Sequence, residues 1–191
     1  MNRIAVGLLL IALTSCHRTQ NTSDVSADHA LREFLGVHAL TGVYKIPAHE
    51  AGYLVTLLEF TDGKLTERGL SSYGSTEHLA SRTLRAQVLW GSPAGSAKVQ
   101  LALPGMAVSS NHAFWSKLDG GSASIGSDIE PQSYEGFVIL GFAESDLTRD
   151  GRTNTASGGS FRHAVELKKF VGALAVKSFK SPEEAQKAAL P

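Results

Sequence analysis

The 191-residue sequence contains a single cysteine, Cys16, so no internal disulfide can form and core packing must supply the stability. Charge of one sign is equally scarce: 18 Lys+Arg face 18 Asp+Glu, and neither sign gathers into a cluster. Displacing counterions from phosphates needs a basic excess, so nucleic acid is excluded from the expected partners. After Leu13 no apolar run approaches the roughly 20 residues that a membrane-spanning helix needs. Local signatures of chemistry are missing as well. The chain has no Gly-x-Ser-x-Gly elbow, Walker loop, His-Glu-x-x-His helix or Cys-x-x-Cys pair, and no catalytic residue, cofactor or metal is expected from local motifs.

Hydrophobic residues at 42% against charged residues at 19% place the body among globular proteins rather than charge-rich disordered ones. Many of the 19 glycines fall between short apolar runs, which is how strand-and-turn chains are punctuated.

The start of the chain has its own pattern. Met1-Asn2-Arg3 gives a positive end, Ile4 to Leu13 an apolar core, and Thr14-Ser15 a small-residue exit before Cys16. A core of that length is too short to span hydrocarbon stably and matches a secretion signal, assigned to residues 1–15. The tetrapeptide Leu13-Thr14-Ser15-Cys16 resembles the lipobox of bacterial lipoprotein precursors. The resemblance implies diacylglycerol on the Cys16 thiol, cleavage just before it, and usually a further acyl chain, such as palmitate, on the new amino terminus. Two chains matter because one alone binds a membrane only marginally and reversibly. His17, rather than Asp, follows the cysteine; by the same resemblance this favours the outer membrane if the source is a diderm bacterium.

Residues 16–28 hold one large apolar residue, Val25, and read as a polar tether about 20 Å long on average. Residues 29–191 read as one β-rich globular domain. Leu31, Phe34 and Leu35 at helical spacing predict a short helix that Gly36 ends. Strands are expected over 37–46 and 53–61, and Asp62-Gly63 predicts a hairpin whose return strand runs over 65–73. One helical turn fits 75–81. Leu84, Ala86, Val88 and Trp90, then Val99, Leu101 and Leu103, alternate as one buried sheet face requires, predicting a second hairpin around 91–96.

The stretch 120–128 reads as a loop, and 134–143 as a central strand buried on both faces. A long polar stretch, 144–160, follows. Residues 161–179 suit both helix and strand, and are assigned a strand or short helix to Val171 and a last strand over 173–179. Ser181-Pro182-Glu183-Glu184 predicts a terminal helix with its cap. The fold class is therefore mainly β: an antiparallel sandwich or roll of about six to nine short strands, with short helices near both ends, α+β being the alternative.

Three groups of residues invite a chemical reading. Asp146 to Gly151 places oxygen ligands at alternate positions like a calcium loop, but the twelfth position is Ser157 where a bidentate Glu would stand, so a polar Asp-Gly turn is expected. His49-Glu50 and Glu77-His78 are adjacent pairs that a strand would point to opposite faces, which makes them surface polar residues. His112, Trp115 and Asp119 form the densest mixture of hydrogen-bonding and aromatic groups, the kind that can contact a sugar or peptide; the simpler account is a core tryptophan beside a polar loop. The expected function is a lipid-anchored envelope protein acting as a non-enzymatic binding or accessory module, with an envelope protein or glycan as partner. The alternative is a small secreted hydrolase assembled from distant residues, with His112, Asp119 and the Gly/Ser-rich loop 120–128 as its cluster.

Overall fold

The computed structural model describes residues 36–91, 98–118, 121–124, 132–153 and 157–190. The leader, Cys16, the tether, the helix expected from Leu31, Asp119 and the turn at 92–97 lie outside the described residues.

Two antiparallel sheets make the body. The first has the order β1-β4-β5-β6, built from β1 (Val37–Lys45), β4 (Thr83–Gly91), β5 (Lys98–Leu103) and β6 (Met106–Asn111). The second has the order β3-β2-β10-β9-β7, from β2 (Gly52–Thr61), β3 (Lys64–Ser75), β7 (Gly121–Ser124), β9 (Phe137–Glu144) and β10 (Phe170–Phe179); the two-residue β8 (Ser133–Tyr134) also pairs with β9. The mainly β antiparallel sandwich expected from the alternation is what forms. Among the described residues the strands number ten, and the count passes nine only through the short edge pieces β6, β7 and β8.

The alternating side chains explain the layering. Leu84, Ala86, Val88 and Trp90 of β4 and Val99, Leu101 and Leu103 of β5 meet Tyr53, Val55 and Leu57 of β2, Leu140 of β9, and Leu174 and Val176 of β10 between the sheets. β2, β9 and β10 are buried on both faces because a second cluster covers their other side. Leu54, Leu58, Phe60, Ile139, Phe142 and Ala173 pack there against Phe161 and Ala164 of α1 (Phe161–Leu167). This is why their sequences read as continuous apolar runs rather than alternations. α1 resolves the ambiguity of 161–179 in favour of a helix to Leu167, and the last strand starts at Phe170 rather than 173. α2 (Pro182–Ala189) begins as expected, with the Ser181 hydroxyl accepting from the Glu184 N–H and Pro182 in the first turn.

The connection from β1 to β2 is tied down from a distance. Arg82, itself at φ 55°, sends its guanidinium to the carbonyls of Ile46, Pro47 and Glu50, so the turn after β1 is held by the residue just before β4. Among the described residues no helix is long and apolar enough to cross a membrane.

Candidate functional site

Glu59 is the one charged residue in the otherwise apolar or neutral strand β2, and only 2% of it is exposed. Its side chain follows Tyr53, Val55 and Leu57 on the face toward the first sheet, because strand residues alternate. A β-bulge in the hairpin then decides its neighbour. Phe60 pairs with Leu65, but the register shifts so that Glu59 pairs with Glu67, putting two carboxylates directly opposite each other. Thr66, the extra residue, turns its hydroxyl to the Glu59 carbonyl at 3.0 Å.

The segment after β6 closes this end of the sandwich. A 3-10 turn, Trp115–Lys117, drops Trp115 completely into the core, where it meets Trp90 edge-on at 5.3 Å and donates its indole N–H to Glu59 Oε1 at 2.9 Å. His112, 22% exposed, stands above with Nδ1 3.4 Å from Glu59 Oε1 and Nε2 3.7 Å from Glu67 Oε1. Nδ1 is buried, yet it makes no hydrogen bond. Two glycines provide the room: a Cβ on Gly69 would come within 2.9 Å of Glu59 Oε1, and one on Gly172 within 3.0 Å of the Trp115 ring. Lys117 lies over the Phe170 ring at 4.8 Å and adds positive potential near the carboxylate.

Burial pushes the Glu59 carboxyl above its ordinary range, and Glu67 pushes the same way; His112, the Trp115 N–H and Lys117 act against them without cancelling the shift. Such a group contributes stability that is fully present below its unfolded value and is lost as pH rises through its folded value. Glu59→Gln keeps an acceptor for Trp115 and removes the charge. In chelator, the variant is expected to match the parent in acid and to exceed it at neutral pH, where the parent must carry its charge away from water. Urea melts from pH 4 to 8 would read this. A parent more stable than the variant at neutral pH would refute the assigned direction.

The structure thus brings His112 and Trp115 together, and adds Glu59 and Glu67, which the sequence did not single out. The available signal was a lone acid inside the apolar run Tyr53–Phe60. The other groups stand apart from this end. His49 Nε2 does reach Glu50 Oε1, at 3.4 Å, because the pair sits in a turn and not a strand. The Asp146–Gly151 segment is closed on itself: Thr148 donates to Asp150 Oδ1 at 2.5 Å and holds that carboxyl below its ordinary range. Beside the same loop, where Thr148 bridges Lys168, the buried Lys168 ammonium pairs with the partly buried Glu144 at 3.4 Å. No family model, curated protein or solved structure matches the chain.

Proposed function

We propose that the chain is a lipid-anchored envelope protein, carried on Cys16, whose sandwich is a non-enzymatic binding module that receives its ligand at the Glu59–Glu67–His112 end. The observation that most supports binding is Glu59 itself. A core built only for stability gains nothing from an ionisable carboxyl at a position whose neighbours are Leu57, Leu58 and Phe60. The partly exposed His112 and Glu67 connect that carboxylate to solvent. A glycan or envelope protein would meet these two side chains, since Trp115 is fully buried and acts on a ligand only by holding Glu59.

The hydrolase alternative needs a hydroxyl beside the imidazole. Among the described residues both nitrogens of His112 face carboxylates, and no hydroxyl is hydrogen-bonded to either. Turnover of a simple ester that disappears in His112→Gln would replace the module with the hydrolase.

The anchor is tested separately. Intact mass of the mature protein should show an N-terminal Cys16 carrying diacylglycerol and one more acyl chain, and Cys16→Ser should lose incorporation of labelled palmitate. A mature product with no added acyl weight would end the proposal of a lipid address.

A further inference from the structure

We infer that Glu59, Glu67 and His112 are the ligands of a divalent transition-metal ion of the zinc class. The inference rests on the binding module proposed above and names what it binds. One donor atom from each of the three side chains lies within 4.8 Å of the others. The shorter of the two His112 contacts, Nδ1 to Glu59 Oε1 at 3.4 Å, is too long for a charge-assisted hydrogen bond of about 2.7–2.9 Å. It matches a different geometry. Two donors sharing a tetrahedral ion, with bonds of about 2.0–2.1 Å, stand about 3.3 Å apart. Nδ1, buried and without a hydrogen bond, has its lone pair or proton unanswered by the protein.

The donor set selects the ion. One imidazole nitrogen with two carboxylates suits zinc and its first-row neighbours; an all-oxygen set would suit calcium or magnesium, and thiolates would suit copper(I). Charge selects it too. Glu59 and Glu67 face each other across the hairpin, a repulsive arrangement that a doubly positive ion between them would reverse. The surroundings supply what a metal ligand needs: the Trp115 indole orients Glu59 from behind through Oε1, as outer partners of ligating groups do. Glu67, 58% exposed, stands at the solvent side, so an ion can enter. Three protein ligands leave a fourth position for water or an incoming group.

The competing account is a structural network in which His112 stands between the two carboxylates and no ion is held. The experiment uses the mature lipidated protein in detergent, stripped with chelator and titrated with cobalt(II), then zinc. One equivalent of cobalt should give the intense visible absorption of a tetrahedral site, and zinc should abolish it. Glu59→Gln and His112→Gln should show no saturable absorption. Trp115→Phe should bind about tenfold to a hundredfold more weakly. Glu59→Gln retains the Trp115 hydrogen bond, and its melt in chelator verifies that lost binding is not lost folding. Absence of a saturable cobalt spectrum in the parent, or binding unchanged in Glu59→Gln and His112→Gln, would overturn the metal. Either result leaves the binding module with another ligand, whereas ester turnover dependent on His112 removes the module itself.

Discussion

Trp115→Ala is expected to lower the stability of the protein by about 3–5 kcal/mol, the range for deleting a large aromatic from a core. Two losses combine. The ring is completely buried and touches Trp90 edge-on at 5.3 Å and Phe114 at 6.4 Å, so alanine leaves a void between the sheets. The same change removes the indole N–H from Glu59, leaving a deeply buried carboxylate with one hydrogen bond fewer. Trp115→Phe separates the two, since it keeps most of the packing and loses only the donor; about 1–3 kcal/mol is expected from that half. In a cycle with Glu59→Met, the two single changes should sum to more than the double, because once the carboxylate is gone the missing donor no longer matters. Urea unfolding in chelator reads the parent and every variant. A cost for Trp115→Ala below 1 kcal/mol would mean that the turn it sits on does not close the sandwich.

The residues of this end illustrate what a sequence displays and what it hides. The alternation of β4 and β5 was legible because each strand buries one face only, and Asp62-Gly63 was legible because a tight hairpin demands its positive φ angles, 51° and 83°. The double burial of β9 was likewise visible as an unbroken apolar run. β6 was not, since Met106–Asn111 is largely exposed and is held by backbone pairing to β5, which leaves no apolar period to read. Strand order was hidden for another reason. β10 inserts between β2 and β9, far away along the chain, and only the assembled cores specify that neighbourhood.

The candidate site divides along the same line. His112 and Trp115 stand close together in sequence and read as a polar-aromatic mixture. Glu59 joins them from more than fifty residues away, and Glu67 reaches it only because a bulge shifts the hairpin register by one. A one-residue slip would have sent Glu67 to the other face. The lone acid of β2 is a sequence signal in retrospect: a charge inside a doubly buried strand conflicts with its surroundings, and such conflicts concentrate at functional positions.

Gly42→Val should be nearly as damaging as the loss of Trp115, at about 3 kcal/mol, the upper part of the range for overpacking. β1 crosses β9 where the two sheets come together, and the contact works by exchange of knobs: Leu140 of β9 sits over Gly42, and Leu40 of β1 sits over Gly141. The two glycines are not equivalent. A Cβ at Gly42 would overlap the Cβ of Leu140, closer than the 3.0 Å that such atoms keep, and would lie 3.1 Å from the Leu140 carbonyl oxygen. Neither obstacle can rotate away, so the strands themselves must separate. A Cβ at Gly141 instead meets the outer atoms of Leu40, Cδ1 at 2.8 Å and Cγ at 3.1 Å, and a change of rotamer or a smaller residue relieves it. Gly141→Ala should therefore cost about 1 kcal/mol and be partly offset by Leu40→Val, whereas shortening Leu140 to alanine, which keeps its Cβ, should not rescue Gly42→Val. Equal costs at the two glycines, or rescue of Gly42→Val by Leu140→Ala, would show that β1 can slide over β9, and that the two sheets are joined less rigidly here than the reciprocal packing implies.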